Sequence, residues 1–229
     1  RSRWTRIFNY NTNNYFTYTK VFADKHNLEA VGGMSFQKSD QYFTFVEGQE
    51  FPLDELRTLA SAAEITGGSS SVTNFTFLSY FSRINYKYAD KYLATLSARV
   101  DGSSRFGDNN KYGFFPAASV GWLVSEESFL KNVELVSFLK LRASWGKTGN
   151  AEIGNFASRD LWNAASYKQL PAIEPAQPES PNLTWEKSSQ TDIGLDFGVF
   201  NNRVSGEIDF YNKKLRKTRH KKFIFLKTF

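Results

Sequence analysis

The dominant signal in the chain is period-2 alternation of apolar and polar residues, which marks strands with two different faces. In Lys91–Val100, Tyr92, Ala94, Leu96, Ala98 and Val100 share one face, and Leu93, Thr95, Ser97 and Arg99 the other. Leu139, Leu141, Ala143 and Trp145 alternate with Lys140, Arg142 and Ser144. Ile193, Leu195, Phe197 and Val199 alternate with Asp192, Gly194, Asp196 and Gly198, and Val204, Ile208 and Phe210 with Ser205, Glu207 and Asp209. Asn14–Phe22, Asn27–Phe36, Leu78–Tyr88 and Tyr112–Val124 follow the same rule less strictly, for about eight strands in all.

Alternation alone suits a sandwich whose polar face meets bulk water, and equally a membrane barrel whose polar face meets a wet lumen. Length separates them: these segments exceed the roughly 5 to 6 residues of soluble strands and approach the roughly 9 to 11 that cross a bilayer. The connections alternate too. Ala23–His26, Ala89–Asp90 and Phe200–Asn202 are tight, whereas Gln37–Asn74, Asp101–Lys111 and Lys147–Thr184 are long. Short turns on one side and long loops on the other characterise outer-membrane barrels. Ser125–Ser137 breaks the rule, and with Ser125 as N-cap it predicts a one- or two-turn helix. Pro52–Ile65 places Leu53, Leu56, Ala60 and Ala63 on one helical face, predicting a second helix. Pro171–Pro181, with four of the six prolines, predicts an extended loop.

Aromatic content of 17 % at a mean hydropathy of −0.46 fits a polar lumen with aromatic girdles, and a soluble sandwich with an aromatic core as well. The net charge of +6 is concentrated at one end: Lys213–Phe229 holds eight basic residues and no acidic one, so the body is near neutral. Such a tail could bind nucleic acid, but its abrupt change of composition reads as non-native or disordered sequence. The expected division is a partial barrel over 1–212 and a basic tail over 213–229. Cysteine is absent, and His26 and His220 are the two histidines, which argues against an imidazole or thiolate metal centre. Arg1–Tyr10 has no apolar segment of a secretion signal, and the strand arithmetic predicts that the chain is the later part of a longer polypeptide.

Chemical motifs are weak. Gly146–Thr148 spells GKT, but Leu141 stands where a phosphate loop needs its first glycine. Ser128–Lys131 and Ser137–Lys140 lack the companion motifs of an acyl-enzyme. Asp101 and Asp108 could contribute to a calcium site or simply to a Gly/Asn/Asp turn. Asp192, Asp196, Glu207 and Asp209 have the spacing of a lumen lining rather than of an acid/base pair. No catalytic, cofactor-binding or metal residue is assigned, and the substrate-binding residues are unknown from the sequence; the chain reads as a non-enzyme.

Four strings carry a family resemblance: SYFSRINYKYADKYLATLSARVDGSSRFGDNNKYGFFPAASVGW, LVSEESFLKN, LKLRASWGKTGNAEIGNF and NLTWEKSSQTDIGLDFGVFNNRVSGEIDFY. They resemble the carboxy-terminal barrel of SusC/RagA-type TonB-dependent receptors over roughly Thr73–Tyr211, with an extension back to Tyr15. The resemblance implies a transmembrane outer-membrane β-barrel of 22 strands with an internal plug. It also implies the TonB complex and a SusD-like lipoprotein as partners, and import of glycans or peptides in Bacteroidetes-type bacteria. Against that pattern the plug and the TonB-contacting box are missing, and about eight strands cannot close such a barrel. The expected fold is therefore an all-β antiparallel meander, a partial barrel with long extracellular loops. The competing reading is a soluble or surface carbohydrate-binding module.

Overall fold

In the computed structural model, which describes residues 1–56, 58–131, 133–167, 170–215 and 223–228, the alternating segments become one antiparallel sheet. Its strands are β1 (Ser2–Phe22), β2 (His26–Gln49), β3 (Glu64–Tyr88), β4 (Tyr92–Ser103), β5 (Tyr112–Leu123), β6 (Val136–Asn150), β9 (Glu186–Val199), β10 (Val204–Leu215) and β11 (Phe223–Thr228). They pair in that order, as a meander, and β1 and β11 are its edge strands, each paired on one side. A separate hairpin, β7 (Leu161–Tyr167) with β8 (Leu170–Gln177), rises from the β6–β9 connection. Eight of the nine sheet strands grow from the segments that alternation marked, and the antiparallel meander is as expected.

The register carries the faces from strand to strand. One row runs Leu28, Tyr86, Ala94, Val120, Ala143, Ile193, Phe210. The adjacent row runs Glu29, Asn85, Thr95, Ser119, Ser144, Asp192, Tyr211. Directly paired residues of an antiparallel sheet project to the same side, and neighbours along a strand to opposite sides. Tyr92, Leu96, Leu141, Trp145, Ile193, Leu195, Phe197 and Ile208 therefore share one face, and Arg99, Arg142, Asp192, Asp196 and Glu207 the other.

Several connections differ from expectation. β2 and β3 continue far into the stretch expected as a loop, leaving only 50–63 between them. That loop holds one 3-10 turn, Leu59–Ser61, in place of the helix expected over Pro52–Ile65. Leu53 is 59 % and Leu56 45 % exposed, so a helix there would have no surface on which to bury its apolar stripe, and an isolated helix of that length is marginal. The helix expected after Ser125 is also a single 3-10 turn, Val124–Glu126, with no side-chain cap. Pro171–Pro181 lies largely within β8, whose prolines are tolerated because the hairpin consists only of edge strands. Past the expected boundary at residue 212, β10 runs on to Leu215, and Phe223–Thr228 pairs with Gly206–Tyr211. Tail residues 216–222 and 229 lie outside the described residues.

Among the described residues no second layer covers the apolar face. Among the described residues only Phe106, Phe115, Val124 and Trp185 are buried apolar residues, whereas Leu96 is 60 %, Val120 59 % and Ile193 56 % exposed. The accessible surface is 16519 Å², against roughly 10,600 Å² for a compact monomer of 26.2 kDa. An uncovered apolar face of this extent is incompatible with a water-soluble monomer.

Candidate functional site

The apolar face is banded. At its turn end five rings form a continuous belt across β1 to β5. Phe22 stacks on His26 at 4.8 Å, His26 lies 4.9 Å from Tyr88, Tyr88 6.2 Å from Tyr92, and Tyr92 6.4 Å from Trp122. On β5 the same face carries Tyr112, ten residues before Trp122. At about 3.3 Å per residue and a tilt near 40°, that spacing is about 25 Å along the membrane normal, the height of the apolar band of outer-membrane barrels. Between the two levels lie Ala94, Leu96, Ala98, Ala118 and Val120, all without polar groups.

The opposite face is polar and cross-linked. Asn85 donates to Glu29 at 3.0 Å and accepts from Thr95 at 3.0 Å. Asp192 accepts from Ser144 at 3.2 Å and from Gln190 at 2.8 Å. Arg142 on β6 reaches across β9: its Nε donates to Asp196 at 2.9 Å and its Nη2 to Asp209 on β10 at 2.8 Å. The side chain can cross because Gly194 lies between its partners in register. A Cβ on Gly194 would stand 2.5 Å from the Asp209 carboxylate and 2.6 Å from the Arg142 guanidinium carbon. Lys140 and Glu207 flank the same cluster, 3.7 Å from Asp196 and 3.8 Å from Arg142. A shallow depression of about 280 Å³, lined by Thr95, Ser119, Lys140, Arg142, Ser144 and Asp192, lies in this face.

At the long-loop end, the polar face gives way to an aromatic seal. Trp185 is 2 % and Phe106 1 % exposed, with ring centroids 4.5 Å apart. Phe115 and Phe77 close on the same indole at 5.3 and 5.9 Å. The indole N–H donates to the Lys111 carbonyl at 3.1 Å, and the Ser158 hydroxyl to the Phe106 carbonyl at 3.1 Å. Glycine is required at Gly149, where a Cβ would meet the Phe115 ring at 2.2 Å, and at Gly107, where it would overlap the Pro181 carbonyl. Arg105 joins the loops: it donates to Asn155 at 2.7 Å and to the Ala151 carbonyl at 3.1 Å, and its guanidinium lies 4.1 Å over Phe75. The strings DGSSRFG, GNAEIGNF and NLTW, far apart in sequence, thus pack as one unit. This assembly was not foreseen from the residues; its one signal was that these strings carry the family resemblance.

The weak motifs stay apart. Asp101 is held by Arg99 at 2.6 Å and Asp108 by Lys111 at 2.5 Å, which keeps the Asp108 carboxyl below its ordinary value. Among the described residues no three carboxylate or imidazole side chains converge as a metal site would need. Gly146–Thr148 is plain strand within β6, with Gly146 paired to Ala117 and Gln190. Asp192, Asp196, Glu207 and Asp209 share the polar face, with Asp196 and Glu207 directly opposed.

Residues 2–218 match the family described as TonB dependent receptor-like, beta-barrel. The chain belongs to that family. It is 37 % identical over 217 residues to the TonB-dependent receptor P39 of Formosa agariphila, covering 93 % of this chain and 21 % of that receptor. It is 37 % identical over 218 residues to the TonB-dependent receptor SusC of Bacteroides thetaiotaomicron, covering 90 % and 21 %. Among solved structures it superimposes on the RagAB peptide transporter with a TM-score of 0.87 and 31 % identity, covering 92 % of this chain and 24 % of that one. The siderophore receptor PirA of Acinetobacter baumannii, at 12 % identity and a TM-score of 0.54, shares the fold alone. The chain spans about a fifth of the length of these curated relatives. The family is one of outer-membrane receptors and transporters rather than enzymes, and the open sheet is part of such a barrel.

Proposed function

We propose that this chain forms part of the wall of an outer-membrane importer that takes up glycans or peptides, works with a SusD-like lipoprotein, draws energy through TonB, and catalyses no reaction. The observation that carries the reading is the two-faced sheet: a belted apolar face suited to lipid, backed by a hydrogen-bonded charged face suited to a wet lumen. The relationship to SusC and to the RagAB peptide transporter supports both substrate classes. The polar face itself supports a polar, near-neutral cargo, because Arg142 and Lys140 are offset by Asp196, Glu207 and Asp209. A soluble carbohydrate-binding module is disfavoured by the uncovered apolar face.

The test is deletion of the gene carrying this sequence in its host, with growth measured on single glycans and on peptides. Growth lost on one class and restored by complementation supports import. Co-purification of a lipoprotein with the complemented receptor supports the lid. Recovery of the protein in the soluble fraction, or growth unaltered on every source, would refute the reading.

A further inference from the structure

The connections at the turn end of the sheet are not alike. Two are compact and polar, with Ala23–Asp24 and Ala89–Asp90 in the left-handed region. The one between β5 and β6, Val124–Leu135, is the longest and carries apolar side chains in the open: Phe129 is 65 %, Leu135 51 % and Val133 39 % exposed. The Leu135 carbonyl accepts from the Phe200 N–H at 3.1 Å, and Phe200 is itself 58 % exposed. Four exposed apolar side chains thus lie in the turn layer, two of them on segments joined by that backbone bond.

The start of this connection is fastened to the aromatic belt. The Glu127 carboxylate accepts from the Tyr92 hydroxyl at 2.7 Å, the Trp122 indole at 3.1 Å and the Lys91 ammonium at 3.0 Å. Tyr92 and Trp122 are belt rings on the apolar face, so the clamp draws the connection toward that side of the sheet rather than beneath the polar face. The Glu127 carbonyl then accepts from Leu130 and Lys131, folding the next residues into a tight turn. Lys131, 61 % exposed at its side chain, lies 3.8 Å from the Glu126 carboxylate, a loose and solvent-exposed pairing that leaves its ammonium within reach of a lipid phosphate.

We propose that Val124–Leu135 is a lipid anchor: its Phe129, Val133 and Leu135 enter the headgroup–acyl boundary of the membrane leaflet next to the Tyr92–Trp122 belt, and Glu127 holds it there. The proposal rests on the barrel reading and adds a phospholipid contact outside the spanning strands. The occupant is lipid because Glu127 ties this connection to Tyr92 and Trp122, rings of the apolar face itself, and an interfacial segment would sit about 5–10 Å into the headgroup–acyl boundary.

The chain has no cysteine, so single nitroxide labels can be placed at will. Phe129→Cys, Leu135→Cys, Leu141→Cys and Asn201→Cys, each in the complete receptor cleared of other cysteines, are labelled and reconstituted in phosphatidylethanolamine–phosphatidylglycerol vesicles. Accessibility to oxygen and to a polar nickel chelate is then read by electron paramagnetic resonance. The expected result is an oxygen-to-nickel ratio at Phe129 and Leu135 close to that at Leu141 and severalfold above that at Asn201. Glu127→Gln should raise label mobility at Phe129 and lower its ratio. Labels at Phe129 and Leu135 that read as aqueous while Leu141 reads as lipid would overturn the anchor and leave the barrel standing. Both sites closed to both probes would mean a protein contact, and would overturn it as well. An aqueous Leu141 would instead overturn the barrel reading on which the proposal stands.

Discussion

Trp185→Ala separates the outer seal from the barrel beneath it. The indole is 2 % exposed and packs between Phe106, Phe115 and Phe77 at centroid distances of 4.5, 5.3 and 5.9 Å. Truncating a buried tryptophan costs about 3–5 kcal/mol, which includes the cavity it leaves. The lost N–H bond to the Lys111 carbonyl is a small addition, because that carbonyl can turn to water. None of the pairings from β3 through β10 depends on the indole, so the cost falls on the loops alone. Opening of the 104–111 and 151–185 loops should then be populated about 10²- to 4 × 10³-fold more often. Cleavage by trypsin at Arg105, Lys111 and Arg159 on intact cells tracks that opening and should accelerate at least severalfold. Heat-modifiable migration of the receptor should be unchanged. Trp185→Phe, which keeps most of the ring, should lie close to the parent. Unchanged cleavage in Trp185→Ala would refute the seal, and loss of heat-modifiable protein together with faster cleavage would show the cluster to be part of the global core.

Four further outcomes follow from the geometry. Gly194→Ala should displace the Arg142 guanidinium and, at these partly exposed groups, lower stability by about 1–2 kcal/mol in urea titrations of the lipid-embedded receptor, whereas Gly154→Ala, with nothing within 4 Å of its Cβ, should not. Ala89→Gly relieves a left-handed residue at φ 50° and should stabilise by up to about 1 kcal/mol in the same titration. Glu127 is depressed from 4.5 to about 2, chiefly by the Tyr92 hydroxyl, then by Lys91 and Trp122; its contribution is therefore complete above pH 4.5 and lost as pH falls toward 2. Amide exchange in Val124–Leu135 should rise across that window, and Glu127→Gln should remove the pH dependence. Residues 1–229 expressed alone behind a secretion signal leave the β1 and β11 edges unpaired, at several kcal/mol per unsatisfied group in lipid, and should yield no protease-resistant, heat-modifiable species.

What the sequence determined by itself is the two-sidedness of the spanning strands. Residues within the bilayer band must alternate, because one face meets hydrocarbon and the other water, and a slip of one residue would reverse both. That constraint made Tyr92–Val100, Leu139–Trp145 and Ile193–Val199 legible with no partner in view. In the barrel reading it lapses beyond that band, where both faces are wet. Lys38, Asp40 and Tyr42 on β2, and Gly67–Ser71 on β3, carry no alternation, and their strands exist because each backbone satisfies its neighbour's. The helix expected in Pro52–Ile65 failed for the complementary reason: its pattern was present but the surface to bury it was not.

Only the tertiary structure could bring Arg105 to Asn155 and Phe75, Phe106 to Trp185, or Arg142 over Gly194 to Asp209. These contacts join residues tens of positions apart through loop conformation and cross-strand register, and no local period encodes either. The Glu127 clamp lay closer to view, since Trp122 and Glu127 are near neighbours in the chain. Yet Tyr92 and Lys91 reach it only because β4 and β5 pair, which places the Tyr92 hydroxyl and the Trp122 indole on one face at one height.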